Sequence, residues 1–235
     1  MNPSVTQRIG VISGSGPEAG IDLWKKILEE NRSFLGESFR GDIDAPNVTI
    51  LSVPELGYSM DLPSTSEQVW ADLETACERL APQVDVFAVA CNTLYTFDSP
   101  IRSLGLDAEL LSPVDSLITE VERRGLDSIG LLAAGPVMDL EGGASPYQRL
   151  AEHFRVELPH DRTALHELIG EVKLVGGSTP TIDRQFAQIA SGLSVGTAAL
   201  ACTELPLIDS SGVDVDFIDP TRLLARDLLG IAPHP

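Results

Sequence analysis

Two cysteines stand in matched settings. Cys91 closes the apolar run "DVFAVAC" and is followed by Asn92 and Thr93; Cys202 closes "TAALAC" and is followed by Thr203 and Glu204. A lone cysteine at such a place is usually buried filler, since cysteine is among the most buried residue types. Two in matched contexts shift the balance towards chemistry. Each run ends in residues able to start a helix, and free backbone N–H groups there attract anions and lower a thiol's pKa below its usual value of about 8.5. The expectation is therefore two thiols tuned towards neutral pH, beside N–H groups able to hold a carboxylate. Facing each other across a cleft, such a pair suits inversion at carbon: one thiolate removes a proton, and the other thiol returns one to the opposite face. Proton transfer of this kind wants a group whose pKa lies near working pH.

The elements that would position these thiols can be read from periodicity. "RIGVISGSG" is a buried strand entering a Gly-rich turn, and "PEAGIDLWKKILEENRSF" is a helix with Pro17 and Glu18 in its first turn. "NVTILSVPE" is a second strand. "SEQVWADLETACERLA" is an amphipathic helix, with Val69, Leu73, Ala76 and Leu80 on one face and Ser66 as the expected N-cap. Cys77 falls inside it as core filler. "DVFAVAC", "AELLSP", "SIGLLAAGP", "RVELP", "TAALACTELPL" and "VDFIDP" are further strands. Between and after them lie helices near 114–124, 146–154, 163–175 and 180–191, and the closing helix "TRLLARDLLG". Strands alternating with helices imply α/β architecture with parallel sheets. In such sheets ligands bind beyond the carboxyl ends of the strands, where both cysteines fall.

The chain also echoes itself. "RIGVISGSGP" opens the first half and "SIGLLAAGP" the second; "AVACNT" and "ALACTE" follow in the same order. The expectation is two similar Rossmann-like lobes related by a pseudo-twofold axis, with the active site in the cleft between them. The first lobe spans 1–112 and is completed by 213–235; the second spans 113–212.

Composition narrows the function. The formal net charge is −19 at pH 7, which disfavours nucleic acid and anionic membrane surfaces. Such acidity suits solubility, including in salt. The three cysteines make no disulfide framework, and neither they nor the four histidines have zinc-site spacing. No apolar run approaches the ~18 residues that span a membrane, and "MNPSVTQRIGVI" has no signal-peptide pattern. A cytoplasmic protein is expected. His153, His160 and His166 are read as residues of second-lobe surface helices or loops, and His234 as an inert tail residue.

The stretches "IGVISGSGPEAGIDLWKKI", "VACNTLY", "YQRLAEHF", "EVKLVGG" and "LACTELPLI" together resemble the aspartate/glutamate racemase superfamily, nearest its aspartate racemase branch. The resemblance covers most of the chain in order. It implies a cofactor-independent amino-acid racemase with two α/β lobes, a small-molecule amino acid or related carboxylate as its partner, and a homodimer. It implies Cys91 and Cys202 as the acid/base pair. Asn92, Thr93 and Thr203 would hold the substrate α-carboxylate, Ser13 and its glycine turn would close one side, and Lys173 would lie near the substrate. Tyr95 stands where the family has a histidine, and is read as a substrate contact. Glu204 either polarises Cys202 or caps the following turn. "VPELGYSMDL" lacks the family's arginine for a side-chain carboxylate, so either Lys173 compensates or the substrate is not aspartate. "LLAAGPVM" lacks the family's hydroxyl donors.

Three other readings compete. "GSGPEA" loosely fits a dinucleotide-binding turn, but no acidic residue stands at a strand end about twenty residues on. Hydantoin racemases and isomerases of unsaturated diacids such as maleate also use two cysteines; in a diacid isomerase Cys91 would act as a nucleophile. An inactive small-molecule-binding homologue would use the cleft without turnover, yet has no need of two thiols.

Overall fold

The structure, a computed structural model, describes residues 7–231; His234 and the ends of the first-lobe segments lie outside them. The chain divides into two compact units. Among the described residues the first comprises 7–90, 97–113 and 221–231, and the second 91–96 and 114–220.

In the first unit, β1 (Ile9–Ser13) runs into the turn that opens α1 (Pro17–Leu35). The turn needs its glycines: Gly14 has φ 128°, and a Cβ on it would meet the Val53 carbonyl oxygen at 2.0 Å. β2 (Val48–Ser52) precedes a 3-10 segment, Pro54–Asp61, and then α2 (Leu62–Leu80). The expected N-cap at Ser66 is corrected here. Pro63 pre-sets the first helical turn, so α2 starts at Leu62, and Ser66 is an exposed residue inside it. The inward stripe is as read from the sequence, with Val69, Leu73, Ala76, Cys77 and Leu80 all buried. β3 (Val86–Val89) leads to Cys91; α3 (Asp98–Ser103) and β4 (Glu109–Leu110) follow. The strands form a four-stranded parallel sheet in the order β2-β1-β3-β4. Ile9, Val11, Ala88 and Ala90 pack with Leu23 and Ile27 of α1 and with Leu224, Ala225 and Leu228 near the C-terminus.

The second unit repeats the plan. α4 (Pro113–Arg124) precedes β5 (Ser128–Leu132), α5 (Gly135–Met138), α6 (Gln148–His153), β6 (Arg155–Glu157), α7 (Arg162–Val175), α8 (Pro180–Ala190) and β7 (Thr197–Leu200). β8 (Asp216–Ile218) pairs with β7, giving the parallel order β6-β5-β7-β8. The expected return to the first lobe at 213 is thereby corrected. The ladder from Thr197–Asp216 to Ala199–Ile218 holds this strand in the second sheet. The return instead begins with α9 (Pro220–Leu228), where Arg222 pairs with Glu29 and Glu30 of α1 at 2.9 and 2.7 Å.

The echo in the sequence thus has a counterpart in topology. Both sheets carry the strand order second-first-third-fourth, so in each the order reverses between the first and third strands. Those strand ends are where α/β sheets present ligands. Cys91 lies two residues past β3 and Cys202 two past β7. Among the described residues no helix is long and apolar enough to cross a membrane.

Candidate active site

The site is clearest in the second unit, to which the segment Cys91–Thr96 belongs. After β7 the chain turns tightly: Leu205 N–H donates to the Cys202 carbonyl at 3.0 Å. The turn folds the Glu204 carboxylate back onto its neighbours. Glu204 Oε2 accepts from Cys202 Sγ at 3.0 Å and from Thr203 Oγ1 at 3.2 Å. Glu204 makes no side-chain cap, so of its two expected roles the structure has it beside the thiol. Lys173, from the last turn of α7, reaches Glu204 Oε1 at 2.7 Å. Both partners are well shielded, with side chains 18% and 4% exposed.

These contacts set the protonation states. Cys202 lies well above the ordinary thiol pKa, first because it is buried and then because Glu204 is beside it; Lys173 opposes the shift without cancelling it. The expectation of a thiol made acidic by the turn is corrected for Cys202. Loss of water and an adjacent carboxylate outweigh the backbone N–H groups, and the residue rests as a thiol. For Lys173, burial pulls its pKa down, but Glu204, Cys91 and Cys202 more than offset it and raise the ammonium's pKa. One cation therefore feels Glu204 and both strand-end cysteines.

After β3 the chain makes a 3-10 segment, Asn92–Phe97, with Leu94 N–H donating to the Cys91 carbonyl at 3.2 Å. Cys91, Asn92, Thr93 and Tyr95 are all buried, and Thr96 Oγ1 donates to the Ala144 carbonyl at 3.0 Å. The structure adds a residue with no role assigned from sequence. Tyr147, fully buried, donates its hydroxyl to Asn92 Oδ1 at 2.6 Å. Its backbone is fixed in turn: Tyr147 N–H donates to Ser145 Oγ, which donates to the Val137 carbonyl. The available signal was chemical, since a buried tyrosine hydroxyl requires a partner.

His166, on α7, accepts the Gly135 N–H through Nδ1 at 3.1 Å. That contact fixes the turn after β5, where "LLAAGPVM" lacks hydroxyl donors. His153 Nδ1 lies 2.8 Å from the Arg149 carbonyl. His160 lines a separate hollow of about 420 Å³ with Glu167, Glu171 and Gln185. Ser13 is buried at the end of β1 in the first unit, against Gly20 of α1: a Cβ on that glycine would meet Ser13 Oγ at 2.0 Å. Of the expected residues, then, Cys91, Asn92, Thr93, Tyr95, Lys173, Cys202, Thr203 and Glu204 fall in one unit, and Ser13 in the other.

Comparison with known proteins identifies the family and the fold. Residues 10–228 match the family model for Asp/Glu/hydantoin racemases. The chain is similar to the crystal structure of an aspartate racemase homologue from Pyrococcus horikoshii OT3, at 23% identity and TM-score 0.72, covering 95% of this chain and 97% of that one. Against Picrophilus torridus aspartate racemase the identity is 20% and the TM-score 0.79, over 95% and 93%. Against glutamate racemase from Francisella tularensis in complex with D-glutamate they are 16% and 0.65, over 96% and 81%. At these identities the likeness is one of fold.

Proposed function

Because this chain belongs to the Asp/Glu/hydantoin racemase family, we propose that it is an amino-acid racemase working without a cofactor, with Cys91 and Cys202 as its two acid/base groups. What supports the reading is that Cys91 and Cys202 stand in matched places, two residues past β3 and two past β7, and that both act on the same lysine, Lys173. Cys202 rests protonated and so serves as the donor for the resting enzyme. Cys91, as the base, takes the α-proton. The electron pair left behind delocalises into the substrate carboxylate, and the Cys202 S–H delivers its proton to the opposite face. This leaves Cys91 as thiol and Cys202 as thiolate, the form that runs the reverse reaction. Lys173 favours the thiolate form of Cys202, so it eases the charge that proton delivery leaves there.

Asn92 and Thr93 supply donors for the α-carboxylate. Thr203 Oγ1 is directed to Glu204, so its contribution is to hold that carboxylate rather than the substrate. The side chain that the enzyme accepts follows from Lys173. Its charge is already matched by Glu204 at 2.7 Å, and the segment Pro54–Asp61 contains no cation. A substrate carboxylate beyond the α-carboxylate would be buried without a partner, at a cost of several kcal/mol. The substrate is therefore an amino acid with an uncharged side chain.

The test is α-proton exchange in deuterium oxide over a panel of single-enantiomer amino acids under reducing conditions. Deuterium enters Cα, and Cys91→Ser and Cys202→Ser each lower racemisation by about a hundredfold or more, the scale of a lost acid/base group. No exchange with any substrate removes the racemase reading. Full activity in Cys202→Ser removes the two-base mechanism, and aspartate as the best substrate removes the uncharged side chain.

A further inference from the structure

We infer that Tyr147 is a positioning residue for substrate recognition: its buried hydroxyl pins the Asn92 amide by its oxygen, so that the Asn92 Nδ2 hydrogens are what the site offers to a substrate carboxylate. The inference rests on the reading of Asn92 as a carboxylate-binding residue. An asparagine side chain has nearly the same shape with its amide turned over, yet one orientation presents two donors and the other an acceptor. An acceptor aimed at a carboxylate would repel the substrate. Something must therefore fix the orientation, and Asn92 cannot do so by shape.

Two observations identify what does. The contact between Tyr147 and Asn92 is 2.6 Å, a length typical of O–H···O and shorter than usual for N–H···O. The amide oxygen, not the nitrogen, faces the phenol. The phenol also stays a donor. It is fully buried, and its pKa lies well above 10, raised first by burial and then by Tyr95, Cys202 and Asp219. Between neutral pH and 10 it retains the proton it gives to Asn92. The support reaches further back, through Ser145 to the Val137 carbonyl, so the ring is held at its backbone as well as at its tip. This chain of contacts lies wholly in the second unit.

Tyr147→Phe removes one oxygen and keeps the ring. KM for the substrate rises about ten- to hundredfold, the scale of one hydrogen bond to a charged group. kcat stays within about threefold, because the carboxylate is held alike in ground and transition states. Asn92→Ser raises KM comparably, and adding Tyr147→Phe to it brings no further loss, since the two act as one unit. A tyrosine that merely filled space would give additive losses and a lower melting temperature with KM unchanged; that outcome overturns the proposal. Nuclear magnetic resonance supplies a readout that needs neither turnover nor a variant. In the wild-type protein the Tyr147 hydroxyl proton exchanges slowly and shows a contact to Asn92. A hydroxyl that exchanges freely overturns the pinning even if the racemase reading stands. A protected hydroxyl in a protein that exchanges no α-proton leaves the pinning and removes the catalytic reading.

Discussion

At the scale of single residues, the site departs from the simplest reading of a strand-end cysteine. Backbone N–H groups after a strand favour a thiolate, yet Cys202 is held as a thiol by burial and by Glu204 at 3.0 Å. Its proton is then available for delivery. The sign of this effect is open to measurement. Removing the Glu204 charge lowers the Cys202 pKa, because the carboxylate raises it both by its charge and by its hydrogen bond. In a Cys77→Ala, Cys91→Ser background, the pH midpoint for alkylation of Cys202 by iodoacetamide therefore falls in Glu204→Gln. An unchanged midpoint means that burial alone sets the thiol. The sequence made Cys91, Cys202, Lys173 and Glu204 legible one at a time, through motif and spacing. It did not make legible that Lys173 and Glu204 neutralise each other, because partners so far apart in the chain meet only when α7 packs beside the turn after β7. Nor did it single out Tyr147, which in "SPYQRLAEHF" looks like one more aromatic packing residue.

At the scale of elements, the repeated Ile-Gly of β1 and β5 has a packing cause. A Cβ on Gly10 would come within 2.8 Å of Leu80 Cδ2 and Phe87 Cβ, and one on Gly130 within 2.9 Å of Ala198 Cβ and Leu193 Cδ1. In each sheet the first strand is central, pressed against the third strand that leads to the cysteine. Gly10→Ala and Gly130→Ala each lower unfolding stability by about 1–3 kcal/mol, the usual cost of overpacking a core. Urea titrations that coincide with the wild type would show that these places have slack. The elements were largely legible from periodicity, including the inward stripe of α2. Misreadings fell at boundaries. Ser66 looked like a cap because serine caps helices, but Pro63 allowed α2 to begin earlier. The sequence reading returns β8 to the first lobe, but its ladder to β7 holds it in the second sheet.

At the scale of the molecule, two units with the same strand order are built from an acidic chain of net charge −19. Many carboxylates are engaged and hold their protons weakly. Glu120, between Arg123 and Arg124, is pulled down to about 2 chiefly by the Arg123 hydrogen bond, and Asp85 and Asp44 are lowered by their arginine partners. Folded values below unfolded ones mean that the stabilisation is complete above the ordinary carboxylate range and fades as pH falls through it towards 2. Melting temperature is therefore steady from neutral pH to about 5 and drops below that. Glu120→Gln has a lower plateau and a shallower fall. An equal slope in both proteins removes Glu120 from the acid response. What the sequence determined by itself is the α/β alternation, the duplication, the paired strand-end cysteines and the racemase resemblance, because these reside in periodicity and local motif. Tertiary structure alone decided which sheet received β8, which cation Glu204 met, which hydroxyl held Asn92, and that Cys202 keeps its proton. Each of these depends on desolvation or on contacts between residues distant in the chain, and a linear pattern carries no record of either.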